Sequence, residues 1–577
     1  MAETLISPGV LARENDQSFV TAQPTVRGAA IIGPSVKGPV ERPILISSYS
    51  SYQNIFGGVL ESGSGQFTYL TSIAANQYFQ NGGNSLLVTR VVSSSANWTS
   101  ATSSLIPAIS ASASTFVLET ISEGEIMNSN GPTGSNNTLI SGSSDNIRWE
   151  IASSNTSSGV FSLLIRRGND TQNNKVILES FNNISLDPFS PNYISRAIGD
   201  VTTNIASGDG STYLQESGSF PNISSYVRVK EVNLATPYYF NNDGSAKLEF
   251  TGSIPAIGSG SVQGNFGSGV GSNIPSVGTR ANFYGDIGTS TQGLVGADYN
   301  SAIALLANQD AYQYNVISAP GLLTSKHTAQ TTALMQNAIS RGDNIAVVDT
   351  VELGSNIGSV ITQAAGVDNS YTSTYWPWLQ TVDPNTGMLV YIPASTFIPG
   401  IYAFTDASSD PWFAPAGITR GGMGQVVRAE RKLTSANRDT LYEANVNPIA
   451  TFPNQGVVVF GQKTLQKAAS ALDRINVRRL LITLKDYISQ IADNLVFEQN
   501  TIATRQNFLT QVNPYLENVQ QRQGLYAFKV VMDESNNTPD VIDRNELIGQ
   551  LFLQPTKTAE FILLDFNVLP TGATFPS

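Results

Sequence analysis

The stretch GVVVFGQKTL, residues 456–465, sets two glycines four residues apart and follows them with Lys463 and Thr464. A phosphate-binding loop needs Gly-x4-Gly-Lys-Ser/Thr, because the backbone amides of an open, glycine-rich turn cradle the phosphate while the lysine reaches its oxygens. Here Gln462 displaces the lysine by one position, and the residues between the glycines are VVVF, which favour a buried strand. The stretch therefore reads as a buried strand with glycines permitting tight turns at either end. Lys463 is then a structural or inter-subunit charge, not a catalytic one.

Outward from this strand, VRRLLITLKDYISQIADNLVF reads as a long helix over 477–497. Val477, Leu480, Leu481, Leu484, Ile488, Ile491 and Leu495 form one apolar stripe, Asn476 can cap it, and Arg478, Lys485, Asp486 and Asp493 occupy the opposite face. A second helix is expected over about 503–522. After it YAFKVVM, ELIGQLFLQ and EFILLDFNV read as strands. The acidic turn DESNNTPDVID is not a calcium loop, because Thr538 stands where Gly is required and Arg544 where Glu is required.

Upstream, helix and strand patterns alternate from 298: YNSAIALLANQ, YNVISAP, HTAQTTALMQNAISRG, NIAVVDTV, SNIGSVITQAAGV and YWPWLQ. Residues 24–95 have the same texture, with VRGAAIIG, the helix FTYLTSIAANQYFQ and SLLVTRVV as a β-α-β arrangement. Between 96 and 285 the chain changes to short strands such as TFVLETI, FSLLIRRG, VILESF and AKLEFTG, separated by Ser/Gly/Asn stretches. The expected fold class is α+β / α/β multidomain. A discontinuous α/β domain (24–95 and 286–440) is interrupted by a β-rich outer insertion (96–285, with two subdomains an option). An N-terminal linker arm (1–23) and a C-terminal α+β domain (441–577) ending in a strand-forming arm complete it.

Composition bounds the function. The 577 residues suggest three or four domains. Only 13% of residues are charged, and the net charge of -12 is uneven. Residues 420–577 hold 16 basic and 15 acidic residues, leaving 16 and 29 for the remainder. An acidic surface repels a phosphate backbone, so no direct nucleic-acid partner is expected. Arg478-Arg479 and Arg428/Arg431-Lys432 are too sparse for a nucleic-acid face but can dock an acidic protein surface. No window has the apolar length of a membrane helix and MAETLISPGV lacks a signal pattern, so neither membrane insertion nor a leader is expected.

Zero cysteines exclude disulfides and thiolate chemistry. His327 is the one histidine, at the start of a helix, where an exposed polar residue is the expectation; no site can hold two His ligands. The aromatic run YWPWLQTVDP is expected to pack in a core rather than stack on a sugar. No catalytic residue, cofactor or metal site is expected.

Several segments, in order, resemble the tail sheath proteins of contractile phages and related injection machines: SPGV, GAAIIGPSVKGP, NIFGG, YFQNGGNSLLVTRV, ESFNNISLDPFSPNYI, DPWFAPAG, and most densely NRDTLYEANVNPIATFPNQGVVVFGQKTL through NVRRLLITLKDYI, FEQNTIATR and DESNNTPDVIDRNELIGQLFLQPTKTAEFI. Most of 96–285 is not covered. The resemblance implies a structural protein, not an enzyme. It would polymerise with itself as stacked hexameric rings around a tail tube protein, in a metastable extended state, and contract to drive the tube through a host envelope. Baseplate and tail terminator proteins would be further partners. The chain would be assembled in the host cytoplasm and reside in the virion tail, its C-terminal domain innermost and the insertion outside.

On that reading, an N-terminal arm (residues 4–20, with Thr4, Leu5, Ile6, Val10 and Leu11) and a C-terminal strand (559–568, with Phe561, Ile562, Leu563, Leu564 and Phe566) each add to a neighbour's sheet edge. Arg478, Lys485 and Asp486 are the tube-facing candidates. The alternative is a β-rich carbohydrate-binding or carbohydrate-cleaving tail protein, suggested by the Ser/Asn-rich insertion and the aromatics.

Overall fold

The computed structural model describes residues 27–560 apart from 63–64, 96, 111–112, 129–138, 209, 260–263, 272–282, 286 and 289. Its centre is dictated by strands without a polar face. AAIIG (β1, Ala29–Gly33), LLVTR (β3, Leu86–Arg90), VISAPGLL (β4, Val316–Leu323), IAVVD (β5, Ile345–Asp349) and TSTYW (β6, Thr372–Trp376) are buried at every position. Such strands are stable only when covered on both sides. With β2 (Pro43–Ile46), β7 (Asn447–Phe452) and β8 (Gly456–Val459) they form an eight-stranded sheet, in the order β2-β3-β1-β4-β5-β6-β7-β8. The inner strands from β3 to β7 run parallel, and the edges β2 and β8 are antiparallel. Ala29 pairs with both Leu86 and Val316, which places β1 between the two halves of the sheet.

Each face of the sheet has its own core. Ile31, Val88, Ile345, Val347, Tyr375 and Ile449 pack with the helices Leu70–Gln80 and Ile398–Ser408. Ala30, Ile32, Ile317, Ala346 and Val348 pack on the other face with Thr328–Arg341 and Ile357–Ala365. The helix Leu70–Gln80 is buried at every position from Leu70 to Tyr78, so its apolar spacing marks a helix embedded all round instead of a one-sided one. Gly33 permits this: a Cβ there would lie 2.4 Å from Thr71 Oγ1.

Between β3 and β4 the chain forms antiparallel sheets around a separate core that includes Phe116, Trp149, Phe161, Leu163, Ile194 and Phe266. Within it AKLEFTG is not a strand: Leu248–Thr251 is a single helical turn. Only Ala246 of the stretch pairs, in a single antiparallel bridge with Phe240, and Leu248 is 87% exposed. The run YWPWLQ is also not one strand. β6 stops at Trp376, and after Pro377, which cannot donate to a ladder, Leu379–Val382 joins a different sheet with Leu389–Ile392 and Val426–Ala429. Its tryptophans are buried as core, at 1% and 3% exposure.

Residues 27–483 belong to one compact unit, and Leu484–Thr556 to a second. The second contains Ile502–Gln521, a helix capped by Thr501, whose Oγ1 accepts the Thr504 N–H at 3.3 Å, and an antiparallel hairpin of Leu525–Val531 with Gln550–Pro555. Phe508, Val512, Leu516 and Val519 form the buried stripe of that helix. The strand EFILLDFNV and the N-terminal arm lie outside the described residues, apart from Glu560.

Candidate functional site

In an open parallel sheet a ligand sits beyond the carboxyl ends of the strands where chain order reverses, here between β1 and β4. Side chains of the protein fill that position. Gln292 Oε1 accepts the Leu70 N–H at 3.1 Å and the Tyr284 hydroxyl accepts the Thr68 N–H at 2.8 Å. These are the amides at the start of Leu70–Gln80 that a phosphate would take in a nucleotide-binding fold.

His327 is buried, at 3% exposure, and so differs from the exposed residue expected at a helix start. Its Nδ1 accepts the Leu323 N–H at 3.1 Å, which ties the helix entry to the end of β4. Asp349, at the end of β5, accepts the Ser395 N–H at 3.0 Å and its hydroxyl at 2.5 Å. Burial pushes the Asp349 carboxyl up to about 6, against the opposing effect of these bonds. The serine hydroxyl thus faces a carboxylate, not an imidazole. Among the described residues no group of three His, Cys, Asp or Glu is placed to hold a metal.

The stretch 456–465 leads instead to a polar clamp. β8 is buried from Val457 to Val459, and Gly456, at φ 72°, closes its hairpin with β7. Phe460 leaves the core, at 44% exposure, and packs edge-on to Phe452. Gly461 passes so close to β7 that a Cβ would lie 2.9 Å from Pro448 Cδ. This close approach sets the next two residues. Lys463 N–H donates to Asn447 Oδ1 at 2.6 Å, and Gln462 Nε2 donates to Glu560 Oε1 at 2.9 Å and to Thr558 Oγ1 at 2.5 Å.

Glu560 is the centre of the clamp. Arg474 grips it at both oxygens, Nε to Oε1 at 2.7 Å and Nη2 to Oε2 at 3.0 Å, and Tyr442 Oη donates to Oε2 at 2.8 Å. Burial alone would raise the carboxyl, but hydrogen bonds from Arg474, Gln462 and Tyr442, with the Arg474 charge, hold it below its ordinary range. Burial pushes the Tyr442 hydroxyl upward, reinforced by Glu560, so it stays a donor. Lys463 Nζ donates to Tyr442 O at 2.7 Å and lies 4.4 Å from that ring's centroid. Lys463 is therefore structural within the subunit, and the clamp fixes the position from which the C-terminal segment departs. Sequence reading missed Tyr442, Arg474 and Glu560 as a set, because the residues come from a helix end, a loop and the chain's tail.

The helix Ile475–Asp493 starts two residues earlier than expected, so Asn476 lies in its first turn and Nδ2 donates to Trp412 O at 3.3 Å instead of capping. Arg478 is buried, at 4% exposure, with its guanidinium carbon 4.0 Å from the Tyr371 ring centroid and a bond from Nη2 to Ser370 Oγ. It does not share a solvated face with Lys485, which is exposed, and Asp486, which is half-buried and accepts from Gln490 at 3.1 Å. Arg479 is buried as well and holds both Asp406 oxygens at 2.6 Å. Apolar neighbours in sequence gave no sign of these buried guanidiniums, whose partners lie on other elements. Arg428 is exposed and pairs with Gln380 Oε1 at 2.8 Å, and Arg431 lies over the Trp376 ring.

In the unit Leu484–Thr556 the hairpin is the notable surface. Its sheet has only two strands among the described residues, and Tyr526 and Phe552 are 64% and 57% exposed. A two-stranded ribbon leaves an unpaired row of N–H and C=O groups on each outer edge. The unit also has a pocket of about 420 Å³, open to solvent and lined by Ile502, Arg505, Gln506, Met532 and residues 533–535.

These features define a multidomain α+β protein whose polar chemistry is spent on holding segments in place. Its fold is that of the sheath tail protein from Listeria innocua, which matches at a TM-score of 0.51 and 12% identity over 92% of this chain and 96% of that one. Residues 292–465 match the phage tail sheath protein central domain, and 467–568 the phage tail sheath C-terminal domain. The tail sheath protein of Vibrio phage KVP40 is 38% identical over 263 residues, 45% of this chain and 37% of the relative. That of Enterobacteria phage T4 is 34% identical over 230 residues, 40% of this chain and 35% of the relative. Residues 292–465 and 467–568 are thus similar to phage tail sheath domains, and the curated relatives over those alignments are tail sheath proteins. The alignments span little more than a third of each curated relative.

Proposed function

We propose that this chain is the repeating subunit of a contractile tail sheath, polymerising as stacked hexameric rings around a tail tube in a metastable extended state and contracting to drive the tube through a host envelope. The role is structural and not enzymatic. The observation that carries the reading is the open-edged hairpin of Leu525–Val531 and Gln550–Pro555, together with the clamp on Glu560 at the root of the C-terminal arm. A ribbon with no third strand among the described residues is completed by added strands, and residues 4–20 and 559–568 supply them from neighbouring subunits. Each main-chain hydrogen bond contributes only about 1 kcal/mol net, yet several per arm, repeated along a polymer, keep subunits linked while their bodies rotate. An arm rooted in a charged clamp transmits load to the body and not to a frayed end.

In this reading the domains divide as 1–23, 24–95 with 286–440, 96–285 and 441–577. The last faces the tube through Lys485 and Asp486, and Arg478 supports that helix from within. The other partners are baseplate and tail terminator proteins, with no direct contact to nucleic acid and no insertion into membrane. Assembly takes place in the host cytoplasm and the product is part of the virion tail.

Negative-stain microscopy of the purified chain tests this. Long hollow tubes or stacked rings are expected, and discrete small oligomers that cleave glycans would overturn it. A variant lacking residues 1–20 should fail to form ordered sheaths, and reversal of charge at Lys485 and Asp486 should reduce assembly on tubes.

A further inference from the structure

The β-rich segment between β3 and β4 presents two aromatic rings to solvent side by side. Phe189 and Tyr238 are 63% and 62% exposed, and their rings stack with centroids 4.3 Å apart and planes within 12°. They come from loops distant in sequence, and one carboxylate positions both. Asp187 accepts the Phe189 N–H at 3.0 Å on one oxygen and the Tyr239 N–H at 3.3 Å on the other. Beneath them Tyr239 is buried, its hydroxyl donating to Thr156 O at 2.6 Å, and the Thr236 N–H bonds to Leu186 O at 3.1 Å. Tyr238 itself has φ 50°, in the left-handed region that a residue with a Cβ adopts at a steric cost. Two unburied rings, one on a strained backbone and both held by a buried scaffold, cost stability without returning it inside the chain, which is the pattern of a surface kept for contact.

We propose that this ring pair is a carbohydrate-binding platform that stacks on the C–H face of a neutral pyranose. Size favours a sugar over a protein partner. Two rings exposed to this extent offer on the order of 250 Å², whereas one side of a stable protein interface buries about 800 Å². The surrounding chemistry agrees, because Asn192 and Asn242, in the same two loops, are exposed and carry neutral donors and acceptors suited to hydroxyls. Each ring stays more than 60% exposed while the two brace one another by stacking, so a sugar lands on a surface that needs no ordering.

Saturation-transfer NMR on the full chain tests the platform, with glucose, galactose, mannose and N-acetylglucosamine as probes. Transfer to the ring C–H protons of at least one sugar is expected. It should fall by at least about fivefold in Tyr238→Ala and in Phe189→Ala, the loss of one stacking contact, and stay within about twofold in Tyr238→Phe, which keeps the ring. Both alanine sites are exposed, and unchanged melting temperatures would show that the fold is intact. No transfer to any of the four sugars, or equal transfer in wild type and both alanine variants, would overturn the proposal. So would normal sugar transfer in both variants accompanied by loss of sheath polymerisation, which would identify the rings as a contact between copies.

Discussion

Replacing Arg474 by Ala removes both of its bonds to Glu560 and leaves the carboxylate with Tyr442 and Gln462 alone. Hydrogen bonds to a charged group contribute about 1.5–3 kcal/mol each when shielded. The two side chains are 25% and 17% exposed, so solvent screening brings the bidentate pair down, to a total of about 2 kcal/mol. That is about 30-fold in the ratio of docked to undocked tail. The clamp holds a terminal segment, so the change is local and global stability is nearly unaffected. Trypsin cleavage after the exposed Lys557 reads it, because the protease needs the flanking chain released from the body. The rate should rise about 30-fold in Arg474→Ala, in proportion to the undocked population. Cleavage within about twofold of wild type would refute the clamp as the anchor of the tail, since the same population argument would then give no opening.

The same carboxylate fixes the sign of a pH effect. Its folded value is depressed, so its stabilisation is present above the ordinary glutamate range and is lost as pH falls through the folded value. Hydrogen exchange at residues 557–560, corrected for intrinsic rates, should show wild-type protection falling on acidification, and Glu560→Gln should remove most of that dependence.

Asp349 has the opposite sign. Its value is raised from 3.8 to about 6, so the protonated form is favoured in the fold, and its contribution is present below the ordinary aspartate range and lost as pH rises through about 6. Two units correspond to about 3 kcal/mol, and Asp349→Asn should flatten the dependence of urea midpoints across that window. Arg479→Ala leaves the partly buried Asp406 carboxylate without its guanidinium partner and should cost about 1–3 kcal/mol by urea unfolding, with Asp406→Asn in the same chain recovering part of it. In the opening stretch, Gly461→Ala should cost about 1–3 kcal/mol through the contact with Pro448, while Gly456→Ala, with open space around it but φ 72°, should cost about 1 kcal/mol. Trypsin cleavage after Lys557 separates the two mechanisms, because only the first displaces β7 and so the clamp.

The parallel sheet was legible in the sequence because its strands are apolar on both faces and short enough to be distinguished from helices. IAVVD and AAIIG need no partner information to be recognised as buried. AKLEFTG and YWPWLQ mark the limit of that logic. Alternation in the first was a strand pattern that pairs only at Ala246 before turning helical, and in the second a proline moved half of the run to another sheet. The polar sites were less legible still. Arg478 and Lys485 fall on one helix and look equivalent by spacing, yet one is buried beneath a tyrosine and the other is exposed.

The chain by itself determined that GVVVFGQKTL begins as a strand, Gly456–Val459, and is not a phosphate loop, since one inserted glutamine and three valines are local facts of covalent order and side-chain shape. It also carried the ordered segments on which the resemblance to tail sheath proteins rests. Only the tertiary structure decided what Gln462 and Lys463 do. Their partners, Glu560, itself gripped by Arg474, and Tyr442, are brought to them by the close passage of Gly461 against β7 and by the return of the C-terminal segment. A charge is read locally as a charge, and whether it is solvated, buried or spent on a clamp depends on contacts between residues far apart in sequence.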